Sequence, residues 1–353
     1  MASASMQLVT SAPAAMGPGA IGPWAARAER LGFDAIHIPE TIHDPFTAAA
    51  LALEHTDRVT VRTSMVLAFP RSPMITAYAA WDLARFSGGR FQLGIASQVR
   101  GNIVGRFSAQ WSEPVARLAD YIRALRAIFT SFQTGAKLDY VGPHYRFERL
   151  QPYFNPGPLD HPAPQIWTGA VNARMCEMAG ELADGFVCHP TNSHPVVLKS
   201  RTRPALVTGA SRADRSVADM AVVVNPHVVT AATRQAVGLI REQRRSELAF
   251  LYSTPAYRRQ LEDFGLADVG AALSEMAQRS EWGSLPSILT DEVMERLVPQ
   301  GTYDEIPGAL GQWYSGLCNG INLPVPADED DDDRFSALLA ACRQIPAASR
   351  NSS

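Results

Sequence analysis

Two side chains that can exchange protons stand close together early in the chain. Glu40 and His43 are three residues apart and follow the apolar segment 33–39. An imidazole titrates near neutral pH, so His43 could act as a general acid or base beside the Glu40 carboxylate. The alternative is that the His43 ring caps or packs against the helix predicted over 46–55. Glu40 and His43 are the candidate catalytic residues, with this alternative open.

Two later segments carry small or polar residues that could hold a ligand. Ser97 and Gln98 open a polar loop that contains Gly101. The second segment is the run Gly169, Ala170, Val171 and Asn172. It leads into a predicted helix, whose first N–H groups lack partners and bind phosphate without a lysine or a P-loop. Many turns between a strand and a helix are glycine-rich for steric reasons alone, so the run is a weak signal by itself.

Composition excludes several classes of protein. The 353 residues are 46% hydrophobic and 19% charged, which is typical of a globular protein with a large core. The 32 basic and 35 acidic side chains are spread along the chain, so no nucleic-acid partner is expected. No cationic leader or apolar run of about 18 residues is present. We therefore expect a cytoplasmic protein without membrane contact.

Motif absences narrow the chemistry further. The four cysteines form no C-x-x-C pair and the eight histidines form no H-x-H pair, so no metal site is predicted. The phosphate-binding G-x-x-x-x-G-K-[ST] and the nucleophile elbow G-x-S-x-G are also missing. Nucleotide hydrolysis and esterase chemistry therefore lack their signatures.

Short apolar segments alternate with helical patterns along most of the chain, as in repeated βαβ units. The clearest helical pattern lies between Arg117 and Phe132, where one apolar face is formed by Leu118, Tyr121, Ile122, Leu125, Ile128 and Phe129. The predicted strands are 6–11, 33–39, 59–67, 91–96, 165–168, 185–188, 220–229 and 320–324. Eight strands with intervening helices predict an α/β fold, a (β/α)8 TIM barrel with insertions in a single domain. Active sites of such barrels lie at the C-terminal ends of the strands, where all the candidate residues fall.

We predict one barrel domain over 6–345. The segment 135–164 is rich in proline, glycine and aromatic residues, which predicts an excursion from the barrel. A mostly helical insertion is predicted within 231–316, since this stretch is longer than one crossover needs. The termini, 1–5 and 346–353, are predicted to be flexible.

Several motifs occur in a characteristic order. They are Leu31-Gly32-Phe33-Asp34, Pro39-Glu40-Thr41, Thr63-Ser64-Met65-Val66, Ser87-Gly88-Gly89-Arg90-Phe91-Gln92-Leu93-Gly94, Pro164-Gln165-Ile166-Trp167-Thr168-Gly169 and Leu182-Ala183-Asp184-Gly185. With these motifs the sequence resembles the luciferase-like monooxygenase superfamily, and within it the coenzyme F420-dependent oxidoreductase branch of a mycobacterial type.

The resemblance implies a flavin-type ring across the barrel mouth. A bulge after strand three would back the ring, and the non-proline cis peptide often found there corresponds to Ser64–Met65. The cofactor-binding residues implied are Ser64, Met65, Ser97 and Gln98. The cofactor phosphate would lie on the amides of residues 169–172, which strengthens the assignment of that helix start.

The chain also departs from the pattern of these relatives. Many that oxidise alcohols or sugar phosphates have histidine directly after the strand-two acid, where this chain has Thr41, and the nearest imidazole is His43. The carboxylate that some carry after strand four is replaced by Val99. The substrates of those relatives are therefore not transferred.

The resemblance implies an F420-dependent oxidoreductase that transfers a hydride between the deazaflavin and an unknown small organic substrate. The alternative cofactor is FMN, which with oxygen would give a monooxygenase. A non-catalytic flavin-binding protein is a second alternative, and a hydrolase is a third. A homodimer is expected through the resemblance alone.

Overall fold

The computed structural model describes residues 5–348. Its strands are β1 (Gln7–Ser11), β2 (Ala35–Ile38), β3 (Thr60–Thr63), β4 (Val66–Leu67), β5 (Phe91–Ala96), β6 (Tyr140–Val141), β7 (Arg146–Phe147), β8 (Ile166–Thr168), β9 (Gly185–Val187), β10 (Ala221–Val224), β11 (Val229–Ala231), β12 (Gln300–Thr302) and β13 (Gly320–Asn322). The main sheet has the strand order β3-β2-β1-β13-β10-β9-β8-β5-β4. A further β3–β5 pairing closes it, and β3 with β4 counts as one barrel strand. The fold is a (β/α)8 barrel, as predicted.

The helices surround the strands in sequence. They are α1 (Pro18–Leu31), α2 (Pro45–Glu54), α3 (Pro73–Phe86), α4 (Pro114–Thr134), α5 (Ala173–Leu182), α6 (Pro195–Val197), α7 (Arg203–Arg212), α8 (Arg234–Ser253), α9 (Pro255–Asp263), α10 (Ala267–Gln278), α11 (Asp291–Leu297), α12 (Ile306–Tyr314) and α13 (Asp332–Cys342). Short 3-10 or π-helical turns cover Asn102–Arg106, Pro152–Phe154, Pro190–Asn192, Leu198–Thr202, Val217–Asp219, Trp282–Ile288 and Glu329–Asp331. Among the described residues, no helix is both long enough and apolar enough to cross a membrane.

The described chain groups into two compact units. Unit A comprises 9–187 and 205–222, and unit B comprises 5–8, 188–204 and 223–348. The predicted domain boundaries, 6–345, stay a prediction.

Unit A contains the most regular helix of the chain. Helix α4 buries an apolar stripe that includes Leu118, Ile122 and Leu125. This spacing is that of one helix face, which explains why the sequence predicted most of the helix. The helix ends at Gly135, whose φ of 71° is readily adopted by glycine.

The excursion at 135–164 is fastened to the body of unit A. It contains the antiparallel pair β6–β7. The Trp81 indole N–H donates to the carbonyl of Gly157 at 3.0 Å, and Arg85 donates to the carbonyls of Pro156, Gly157 and Pro158. Side chains of α3 thus fasten residues 156–158 of the excursion to the body of unit A.

Unit B has its own apolar core, formed largely by α8 to α11. Leu248, Leu261, Leu273, Leu285 and Met294 are buried in it. The parallel pair β11–β12 lies beside these helices in sequence and pairs outside the barrel sheet. The stretch predicted as a helical insertion is therefore mostly helical but also contains two short strands.

Two predicted strands are interrupted in the structure. The strand predicted over 59–67 divides into β3 and β4. The strand predicted over 220–229 ends at Val224, and β11 begins only at Val229. Pro226 has no N–H to donate to a ladder, and the Asn225 N–H donates to Ser193 Oγ at 2.8 Å instead. Apolar composition alone could not show this turn.

The predicted flexible termini lie mainly outside the described residues. At the positions that are described, the chain is held by backbone pairing. Ser5 forms an isolated antiparallel bridge with Pro346, and the Ala348 N–H donates to the Cys318 carbonyl at 2.8 Å. The prediction that the termini are flexible stays a prediction.

Candidate functional site

The bulge after β3 lies at the centre of the candidate site in unit A. The Ser64–Met65 peptide bond is cis, as the family resemblance implied. Thr63 Oγ1 donates to the Gly94 carbonyl and accepts from the Gly94 N–H, both at 2.9 Å. The Ser64 N–H donates to the Ile38 carbonyl at 2.7 Å. Neighbouring strands therefore hold the bulge on both sides.

Two glycines make room for the Met65 side chain. A Cβ at Gly94 would lie 1.9 Å from the Thr63 carbonyl oxygen and 2.7 Å from Met65 Sδ. A Cβ at Gly169 would lie 2.8 Å from the Val187 carbonyl oxygen and 3.4 Å from Met65 Cε. The thioether thus extends from β5 towards the end of β8. We call the surface formed by Met65, Gly94 and Gly169 the floor.

The Glu40 carboxylate is occupied by other groups of the protein. Its Oε2 accepts the Leu67 N–H at 2.7 Å, and Arg71 Nη1 donates to both of its oxygens at 2.9 Å. Its side chain is only 6% exposed. These contacts tie the loop after β2 to β4, so the geometry favours a positioning role. Proton transfer by Glu40 stays a prediction.

His43 occupies a different environment in the same loop. Its side chain is half-buried, and within residues 5–348 its ring forms no hydrogen bond. Asp44 caps α2, because its Oδ1 accepts the Thr47 N–H at 2.8 Å. The alternative in which His43 caps this helix is therefore wrong. Both imidazole nitrogens remain available for a reactant.

The backbone beside His43 is fixed from two directions. Thr41 Oγ1 donates to the Ala14 carbonyl at 3.0 Å, and Arg106 Nη2 donates to the Thr41 carbonyl. Thr41 stands where many relatives were expected to have histidine, and here its hydroxyl anchors the loop. Arg106 was missed by sequence reasoning because it ends the π-helical turn 102–106, which has no simple apolar period.

The loop after β5 satisfies its own polar groups. Gln98 has a φ of 60° and its Oε1 accepts the Val99 N–H at 2.8 Å. Ser97 Oγ donates to the Gln98 carbonyl at 3.2 Å. Both side chains are half-buried, whereas Val99 is exposed. The loop has a defined shape, and its role in cofactor binding stays a prediction.

The start of α5 is capped by the side chain of Asn172. Asn172 Oδ1 accepts the Met175 N–H at 3.0 Å, and the first helical residue is Ala173. The N–H groups of Ala173 and Arg174 precede the capped amide, and the exposed Arg174 adds a positive charge to this turn. Sequence reasoning missed Arg174, although its place two residues after the predicted phosphate-binding run was a usable signal.

The predicted phosphate-binding run differs in exposure along its length. Gly169 is half-buried, Ala170 is buried, and Val171 and Asn172 are exposed. The run passes from the floor to the surface at the helix start. At its inner end the run meets another predicted cofactor residue, because a Cβ at Gly169 would lie 3.4 Å from Met65 Cε.

A polar cluster occupies the strands that lead to the floor. Arg62 is fully buried on β3, where its Nε donates to Gln92 Oε1 at 2.8 Å and its Nη1 donates to His37 Nε2 at 2.7 Å. Its guanidinium carbon lies 3.4 Å from the centre of the Trp167 ring. Burial lowers the pKa of Arg62 to about 9. Burial, reinforced by the Arg62 charge, holds the pKa of His37 well below its usual value.

The histidines after β9, in unit B, have structural contacts. His189 Nδ1 lies 2.8 Å from Thr191 Oγ1, and His194 Nε2 donates to the Arg296 carbonyl at 2.9 Å. The His194 ring also packs against Phe264. Across the described chain, no group of three or more His, Cys, Asp or Glu side chains is arranged to hold a metal ion.

Comparison with known proteins identifies the family. The luciferase-like monooxygenase profile matches residues 3–318. The chain belongs to the luciferase-like monooxygenase family. A family relative, Rv1360 of Mycobacterium tuberculosis, is 36% identical over 301 residues, which cover 85% of this chain and 88% of that protein. The F420-dependent glucose-6-phosphate dehydrogenase of Amycolatopsis mediterranei is 28% identical over 58% of this chain and 63% of that protein.

Solved structures show the same fold. The coenzyme F420-dependent tetrahydromethanopterin reductase of Methanopyrus kandleri superposes with a TM-score of 0.74 at 18% identity, covering 98% of this chain and 99% of that one. The oxygenating component of 3,6-diketocamphane monooxygenase from Pseudomonas putida, in complex with FMN, gives a TM-score of 0.68 at 15% identity, covering 97% and 98%. The barrel of this luciferase-like protein is thus shared with an F420-dependent and an FMN-containing protein.

Proposed function

We propose that this protein is an F420-dependent oxidoreductase that moves a hydride between the deazaflavin ring and a small organic substrate. The observation that carries the proposal is the floor, where Gly94 and Gly169 make room for the Met65 side chain between β5 and the end of β8. Such a surface fits one face of a planar ring. The relatives named as F420-dependent favour the deazaflavin over FMN.

Each part of the site would have its own task. The bulge would back the ring, and the loop at Ser97 and Gln98 would border it. The free amides at the start of α5, with the charge of Arg174, would hold the cofactor phosphate. When bound, the cofactor supplies the hydride chemistry, and the protein supplies orientation and electrostatics.

His43 would handle the proton that accompanies the hydride. Among residues 5–348 its ring nitrogens have no hydrogen-bond partner, whereas the Glu40 carboxylate is bound to Arg71. Glu40 would therefore act by fixing the loop and β4. The substrate class is not specified by these groups, because Thr41 replaces the histidine and Val99 replaces the carboxylate that some relatives carry.

Two alternatives follow from the same fold. The family profile is that of monooxygenases, and the structurally similar diketocamphane enzyme contains FMN. A non-catalytic flavin-binding protein would share the floor and the helix start but show no turnover. The homodimer stays a proposal from the resemblance, and sedimentation analysis of the purified protein would test it. The cytoplasmic location stays a proposal from the sequence.

The deciding experiment is a side-by-side titration of the purified protein with oxidised F420 and with FMN, followed by absorbance and fluorescence. We expect F420 to bind at least about tenfold more tightly, a difference of about 1.4 kcal/mol. The matched variant is Gly169→Val, whose side chain would collide with Met65 and the Val187 carbonyl. Tighter binding of FMN would overturn the cofactor assignment, and F420 binding unaffected by Gly169→Val would place the ring elsewhere.

A further inference from the structure

We call the group formed by Arg62, His37, Gln92 and Trp167 the Arg62 cluster. Its buried positive charge has no negative partner among residues 5–348. Arg62 contacts His37, Gln92 and the Trp167 ring, all of which are uncharged. His37 must accept the Arg62 hydrogen bond at Nε2, so this imidazole is neutral. Within residues 5–348, no carboxylate forms an ion pair with Arg62, in contrast to Arg71 and Arg245.

Such an arrangement is unusual because an isolated buried charge is unfavourable. Buried charges in proteins are generally paired or bound to a metal. His37 and Gln92 offer Arg62 only the dipoles of their hydrogen-bonding groups. Trp167 offers only the quadrupole of its ring. With a pKa of about 9, Arg62 still carries its proton at neutral pH. Its field therefore acts on whatever occupies the neighbouring space.

The neighbouring space is the floor. Residues two apart in a strand lie on the same face and about 7 Å from one another. Two residues after Gln92 comes Gly94, and two after Trp167 comes Gly169. Gln92 and Trp167, which contact Arg62, thus each lie two residues before a glycine of the floor.

The same relationship holds on β3 itself. Arg62 stands two residues before Ser64, the first residue of the cis bond. The register pairs Arg62 with His37 on β2 and with Gln92 on β5, so the three side chains share one face of the sheet. The Arg62 cluster is therefore the layer next to the floor.

We propose that Arg62 stabilises the reduced, more negatively charged state of the ring bound on the floor, and thereby raises its reduction potential. The inference rests on the proposed function, since it requires a ring at this position. Arg62 is a positioning charge that acts through space and makes no contact with the reacting atoms.

The charge balance explains the direction of the effect. When a substrate gives a hydride to C5, two electrons and one proton reach the ring, which gains one negative charge. The substrate loses that hydride, and the proton it also releases goes to the solvent or to a side chain such as His43. The ring keeps the added charge or takes up a proton at a ring nitrogen. A cation in a poorly solvated layer nearby favours the charged form, because Coulomb interactions are weakly screened there.

The test places a counter-charge beside Arg62 with little change in shape. Gln92→Glu keeps the oxygen that accepts Arg62 Nε–H and adds one negative charge. Gln165→Glu is the matched control, because Gln165 also belongs to the hydrogen-bonded chain, through Gln92 Nε2 at 2.9 Å, but is exposed to solvent. Arg62→Met removes the positive charge by a second route, and Arg62→Lys retains it.

The readout is the ratio of the dissociation constants of oxidised and reduced F420, measured separately for each protein under anaerobic conditions. We expect Gln92→Glu and Arg62→Met to weaken the preference for reduced F420 by at least about tenfold, equivalent to about 30 mV in a two-electron potential. Gln165→Glu and Arg62→Lys should stay within about threefold of the wild type. Thermal unfolding of each variant verifies that it is folded.

The outcomes separate this inference from the proposed function. A wild-type protein that does not bind F420 overturns both. If the wild type binds F420 and Gln92→Glu leaves the ratio of dissociation constants unchanged, the role of Arg62 alone is overturned. If Gln92→Glu does not fold, an unchanged ratio in Arg62→Met decides in the same way. An equal loss of affinity for both redox states would have the same meaning, because a purely structural support of the floor does not distinguish the two charges.

Discussion

Arg71 donates hydrogen bonds to both carboxylate oxygens of Glu40 at 2.9 Å through a single nitrogen, Nη1. The same carboxylate accepts the Leu67 N–H, so one buried side chain joins the loop after β2 to the strand that follows the cis bond. This geometry favours a role for Glu40 in positioning the loop after β2 and β4. This assignment has a consequence for stability.

Glu40→Gln should destabilise the protein while leaving the proton chemistry intact. The amide oxygen can still accept the Leu67 N–H, but the charge partner of Arg71 is lost. We expect the free energy of unfolding to fall by about 1–3 kcal/mol, measured by urea denaturation. Asp44→Asn is a control, since its contact with Arg71 is at 3.4 Å and exposed. Unchanged stability with a hundredfold loss of turnover would instead make Glu40 a catalytic base.

His43→Ala should affect turnover and spare the cofactor. A well-placed acid or base contributes roughly a hundred- to ten-thousand-fold, and we expect a loss of at least about tenfold in kcat once a substrate is found. F420 affinity should stay within about threefold. His43→Gln should behave like the alanine variant, because glutamine cannot transfer the proton. If turnover persists, the proton comes from solvent, and if F420 affinity collapses, His43 holds the ring.

The sequence predicted those features that depend on local pattern. Helix α4 was recognised from the spacing of Leu118, Ile122 and Leu125, and the start of α5 from the small residues before it. The Arg62 cluster was not predicted, because its members come from four strands and look like ordinary strand residues in the sequence. The capping of α2 by Asp44 was not predicted, although an aspartate directly before Pro45 is a usual N-cap signal.

Glu29 should make the stability of unit A depend on acid pH. Desolvation raises the pKa of this carboxyl, but hydrogen bonds from the N–H groups of Asp57, Val59 and Arg58 outweigh it and lower the pKa below its usual value of 4.5. A pKa that is lower in the folded protein adds stability above the ordinary pKa, and this stability is lost as pH falls through the folded value.

The variant Glu29→Gln isolates that contribution. At pH 7 it should unfold more easily than the wild type by about 1–3 kcal/mol, because a neutral amide accepts these N–H groups less strongly. The difference should shrink steadily below pH 4.5, as the wild-type carboxyl is protonated in the unfolded chain and then in the folded one. Urea denaturation of both proteins between pH 3 and 7, in steps of about half a unit, measures it. A difference independent of pH would show that shape, and not charge, determines the contribution of Glu29.

Asn172→Pro should weaken F420 binding through the start of α5. Proline removes the carboxamide that caps Met175 N–H and also the N–H of residue 172 itself, at the end where the phosphate is proposed to lie. We expect the dissociation constant to rise at least about tenfold, since a charged hydrogen bond is worth about 1.5–3 kcal/mol. Arg174→Ala should raise it by a smaller factor, because its charge acts from the exposed first turn. Lys199→Ala is the control, because this exposed cation belongs to unit B and no part of the proposed phosphate site includes it. Equal losses in Asn172→Pro and Lys199→Ala would show that the phosphate binds elsewhere, whereas a loss confined to the α5 variants would support the helix start as its site.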